Sequence, residues 1–92
     1  MGDIKKAAGE LRRIANDFEN GYKDTVALRR EAIKVIRDAD PAAVFTARRD
    51  VTGLRALEQL DNILGSVGPS VSRVQRGTVA AALHSLARVA GS

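Results

Sequence analysis

Residues 71–90 read VSRVQRGTVAAALHSLARVA, preceded by Gly68-Pro69-Ser70 and followed by Gly91. Proline near the start, serine as a cap and glycine past the end are helix punctuation. At 3.6 residues per turn, Val71, Val74, Thr78, Val79, Ala82, Leu83, Leu86 and Val89 cover more than one face. The other side is a thin stripe of Arg73, Arg76, His84 and Arg88 around a floor of Gly77, Ala80, Ala81 and Ala87. No acidic residue occurs from Gly65 onward. A helix this apolar needs contacts nearly all round. It is therefore expected to be the central helix of a small all-helical domain, with the small-residue stripe as a candidate docking surface.

The segments before it carry helical periods too. Asp3 can cap a first helix running to about Asn20, with Ile4, Ala7, Ala8, Leu11, Ile14, Ala15, Phe18 and Tyr22 on one narrow face. Lys6–Glu10 and Arg13–Asp17 are oppositely charged and four apart, a spacing that adds roughly 0.2–0.5 kcal/mol per pair to an exposed helix. Asn20-Gly21 is expected to stop it, because both residues tolerate the left-handed backbone; the alternative is one long helix through Gly21, at a cost of about 1 kcal/mol relative to alanine. A second helix is predicted from near Asp24 to near Ala39, burying Leu28, Ala32, Val35, Ile36 and Ala39. Asp40-Pro41 then reads as the cap and first residue of a third.

That third helix has a phase problem. Val44, Ala47 and Val51 share one face, whereas Leu57, Leu60 and Leu64 share a face nearly half a turn away. A straight helix cannot point both sets at one core. The shift falls at Val51-Thr52-Gly53, so the helix is expected to kink or split at Thr52-Gly53, giving 41–50 and 53–64. The whole chain then reads as one domain, 1–92, an all-α, up-and-down four-helix bundle. Its expected core includes Leu11, Ile14, Phe18, Leu28, Val35, Ile36, Val51, Leu57, Leu60, Leu64, Val74, Ala82, Leu86 and Val89.

Composition narrows the function. Ninety-two residues make one domain. The absence of cysteine excludes disulfides, thiolate metal sites and cysteine catalysis. A net charge of +4, with acids interleaved among bases, favours an anionic partner surface without forming a polybasic tail. The uncharged run between Arg76 and Arg88 falls short of the ~20 residues of a membrane span. Met1 to Lys6 has no signal-like apolar core, so an exported form would need a targeting segment outside this sequence. The basic doublets Lys5-Lys6, Arg12-Arg13, Arg29-Arg30 and Arg48-Arg49 are read as edges of the core with their aliphatic stems packed down.

No constellation for catalysis stands out. His84 beside Ser85 lacks an acid in the same helix, and neighbours on a helix diverge. Asp38 and Asp40 fit a helix end and a cap better than an acid–base pair. No spacing fits a metal loop or a phosphate cradle, so no cofactor, no metal and no enzyme activity are expected. Two classes remain. The first is a noncatalytic accessory subunit docking on a larger complex through Arg73, Arg76, Gly77, Ala80, His84 and Arg88. Small residues admit a close backbone, and the arginines can anchor acids or carbonyls at the rim. The competing reading of that stripe is that helix 1 or 2 covers it within the chain. The second class is a small basic nucleic-acid-binding protein; few aromatics and mixed acids count against it.

From Tyr22 onward the chain resembles the small lumenal helical-bundle proteins of photosystem II, the assembly factor and related extrinsic subunits. The resemblance is carried by Gly21-Tyr22-Lys23-Asp24-Thr25 leading to Leu28, and by Arg30-Glu31-Ala32-Ile33. It continues in Arg48-Arg49-Asp50 with Gly53-Leu54, Leu57 and Leu60, and in Gly68-Pro69-Ser70 before the last basic helix. It implies a four-helix bundle in the thylakoid lumen, docked on a photosystem and without catalysis of its own.

Overall fold

The computed structural model describes residues 3–68 and 70–91. Among them are five helices and no strand: α1 (Asp3–Glu19), α2 (Thr25–Ala39), α3 (Pro41–Arg48), α4 (Val51–Ser66) and α5 (Arg73–Ala90). The capping role expected of the Asp3 side chain and the start expected at Pro69 lie outside the described residues.

Each boundary has a local cause. Gly21, at φ 81°, ends α1. Asp24 caps α2, its carboxylate accepting from the Ala27 amide at 2.8 Å. Asp40 serves two helices: at φ 46° its amide donates to Ile36 O, and its carboxylate accepts from the Ala43 amide ahead of Pro41. Ser72 and Gln75 form a reciprocal capping box that starts α5 at Arg73, two residues beyond the expected Ser70 cap.

The phase problem is resolved by two separate helices, with the break three residues earlier than expected. Arg49, at φ 55°, closes α3, and Asp50 caps α4 through the Gly53 amide at 2.9 Å. Thr52-Gly53 therefore lies inside the first turn of α4. Gly53 does not bend the chain there. It is buried because the Phe45 ring lies on it, so closely that a Cβ would fall 2.6 Å from the ring. The buried face of α3 is accordingly Pro41 and Phe45, with Ala47 exposed and Val44 only part-buried.

α1 packs against α2 and α5, α5 against α4, and α3 against α4. Arg76 near the start of α5 reaches the end of α1, while Gly91 past the end of α5 lies against Ala8 and Arg12, so these two helices run antiparallel. One contiguous core results, centred on Phe18, Leu28, Phe45, Leu60, Leu83 and Leu86. Burial of each such side chain is worth ~1.5–3 kcal/mol. Most of the expected core is there, with Val35, Ile36, Leu57 and Val89 part-buried against it. Val51 and Val74 are corrections: both are exposed, because each sits in the first turn of its helix on the solvent side. Tyr22 is exposed as well, since the chain leaves the helical path at Gly21 and carries it off the α1 face.

Candidate functional site

The structure divides the expected stripe on α5. Ala80 is 1% exposed and Ala87 fully buried, both in the core cluster. The contact between α1 and α5 is the most extensive in the molecule, and small residues on both helices allow it: Ala8 and Ala15 on one, Ala80 and Ala87 on the other. Close approach is therefore made inside the chain. Ala80 is withdrawn from the docking surface for that reason.

Arg76 is also turned inward. Its Nη1 donates to Phe18 O at 2.8 Å and to Lys23 O at 3.3 Å, and its guanidinium lies over the Phe18 ring at 4.6 Å from the centroid. Phe18 O belongs to the last turn of α1, where carbonyls lack intrahelical partners. A guanidinium there supplies two charge-assisted bonds and a cation–π contact. Lys23 completes the clasp, with its ammonium 2.7 Å from Glu31 Oε1 and 3.8 Å from Asp17 Oδ2. The i,i+4 pairs expected at Lys6–Glu10 and Arg13–Asp17 are not formed; Asp17 turns to Lys23.

Arg29 acts the same way elsewhere. Its Nη2 donates to Leu64 O at 2.8 Å and to Val67 O, tying α2 to the end of α4. Within the Arg29-Arg30 doublet, one residue therefore turns in and the other stays in solvent. Sequence reasoning missed Arg29. The available signal was its place one residue after the buried Leu28, on the edge of the apolar face.

The solvent-facing side of α5 is centred on Val74, Thr78, Ala81 and Arg88, with Gly77, His84 and Ser85 at its flanks. This is the predicted stripe rotated by somewhat less than the ~100° between neighbouring residues. Arg73 and Arg88 remain exposed, Gly77 and His84 are half-buried, and a Cβ on Gly77 would meet open space. The face carries positive charge at both ends, small or apolar groups between, and no acid.

Among the described residues, no group of three or more His, Cys, Asp or Glu could hold a metal ion. No helix among the described residues is long and apolar enough to cross a membrane. A scan against protein-family models matches no family, and comparisons with curated proteins and with solved structures return no match.

Proposed function

We propose that this chain is a noncatalytic accessory subunit that docks on a larger protein assembly through the outward face of α5. The observation that carries the reading is Val74, 78% exposed at the head of a face that Arg73 and Arg88 bracket and no acid interrupts. An exposed apolar anchor among small residues, rimmed by arginine, suits a partner helix or loop with acidic or carbonyl groups at its edges. The four long helices are read as an up-and-down bundle, with α3 inserted in the α2–α4 connection. The photosystem II lumenal complex to which the sequence resemblance points is the first assembly to try, with the thylakoid lumen as the site of action.

Two substitutions one residue apart test the reading. Ala81→Glu places a charge on the outward face, and Ala80→Glu places it under α1. Ala81→Glu should leave the melting temperature nearly unchanged and reduce recovery of a discrete partner from extracts of the source organism by more than tenfold. Ala80→Glu should unfold the chain, because an unpaired buried charge costs several kcal/mol. Equal recovery by wild type and Ala81→Glu would refute the α5 surface. Recovery of nucleic acid that is lost as salt is raised would favour the basic nucleic-acid-binding class instead.

A further inference from the structure

We infer that a second copy of this chain closes the open side of the bundle between α2 and α4. Three sides are extensively packed: α1 on α2, α1 on α5, and α4 on α5. The fourth is not among them. Arg29 ties α2 to the end of α4 at one end of this side. Toward the other end, Ile36, Leu54 and Leu57 line a cleft of about 380 Å³ whose lip carries Glu58 and Asp61.

The apolar surface does not stop at the cleft. Ile33 and Val26 are 47% and 64% exposed. At ~100° per residue both project from the flank of α2 that already bears Ile36 and Arg29, the flank toward α4. Arg37 and Arg30 follow in the same outward arc, both exposed. The open side is thus an apolar strip with a basic border on α2 and an acidic border on α4.

This pattern is complementary to itself. A two-fold axis along the strip lays α2 of one copy over α4 of the other, so that Arg30 and Arg37 meet Glu58 and Asp61 twice, as an isologous interface requires. Arg30 and Arg37 are two turns apart, about 10 Å, which two flexible side chains can bring onto acids one turn apart. A nucleic acid or anionic surface would be repelled by the acidic lip. A purely acidic partner would be repelled equally, and a purely basic one would meet Arg30 and Arg37. α2 and α4 have 15 and 16 residues, about 23 Å at 1.5 Å per residue, so on a molecule about 20 Å wide this side offers a footprint on the order of 500 Å² per partner, the size of a small, reversible interface. The pairing uses neither Arg73 nor Ala81, so it stands apart from docking through α5.

The test is the solution mass as a function of concentration, by sedimentation equilibrium, on the whole chain. The chain of 9.8 kDa should approach twice that mass at micromolar concentration. Glu58→Lys/Asp61→Lys makes both borders basic, and Arg30→Glu/Arg37→Glu makes both acidic. Each double variant, checked for helicity by circular dichroism, should dimerise at least ~100-fold more weakly. An equimolar mixture of the two should regain the dimer, because each variant then presents the border the other lacks. Ala81→Glu should dimerise as the wild type does. A wild-type chain that stays monomeric up to about millimolar concentration overturns the inference. So does a dimer that ignores both double variants, or a mixture that fails to re-form it.

Discussion

Phe45 and Gly53 show how much one hydrogen atom can decide. Glycine inside a helix costs ~0.5–1 kcal/mol relative to alanine, so Gly53→Ala would ordinarily stabilise α4. Here the added methyl would stand 2.6 Å from the ring of Phe45, which is fully buried and would have to shift within the core. The overpacking penalty of ~1–3 kcal/mol wins, and Gly53→Ala should lower the melting temperature by several degrees, read by circular dichroism. Arg49 presents the opposite case. It holds φ 55° with an exposed side chain, a conformation that costs an L-residue ~1–2 kcal/mol. Arg49→Gly removes that cost while loosening the unfolded chain, and the balance should raise the melting temperature by a few degrees. Asp40 shares the left-handed backbone, but its carboxylate caps α3 there, so the same substitution at Asp40 would lose a cap and gain little.

At the scale of the helix, α5 separates two uses of small residues. Ala80 and Ala87 let α1 approach, whereas Gly77 faces open space within the chain. Gly77→Ala should therefore raise helix stability by up to ~1 kcal/mol, or about 4–8 °C in melting temperature. A fall in melting temperature would show that Gly77 is needed inside the fold. Arg76 makes the complementary point. Its two carbonyl bonds and its contact with Phe18 hold α5 to the α1–α2 turn, so Arg76→Ala should destabilise by ~1.5–3 kcal/mol in urea unfolding. Arg76→Lys should recover only part of this, because an ammonium lacks the planar fork that serves two carbonyls and a ring together.

The whole molecule is a set of helices in which α1 and α5 hold the centre and α2 is secured from outside it. α2 meets α1 along one flank, and on the other it is tied to α4 through Arg29. Arg29→Ala should cost ~1.5–3 kcal/mol, leaving two part-buried carbonyls without this donor. Amide exchange should then rise most in α2, measured by hydrogen–deuterium exchange, while α1 and α5 stay protected. Uniform acceleration through all helices would mean that the molecule opens as one unit.

Periodicity and capping chemistry in the sequence determined the helical class, the limits of α2, the stop at Gly21 and the cap at Asp40-Pro41, because these depend on residues within a turn of one another. They also required an interruption between Pro41 and Leu64, since two apolar faces half a turn apart cannot serve one core. The position of that interruption was a tertiary matter: Phe45 needed Gly53 as its floor, and that contact joins two helices. The candidate surface was legible only to within most of one residue's rotation. An α5 with apolar groups on more than one face leaves its orientation open, and the packing of Ala80 and Ala87 under α1 chose it. The destinations of Arg29 and Arg76 were decided by tertiary structure alone. A carbonyl at a helix end attracts a guanidinium only once folding has brought the two together across more than thirty residues of chain.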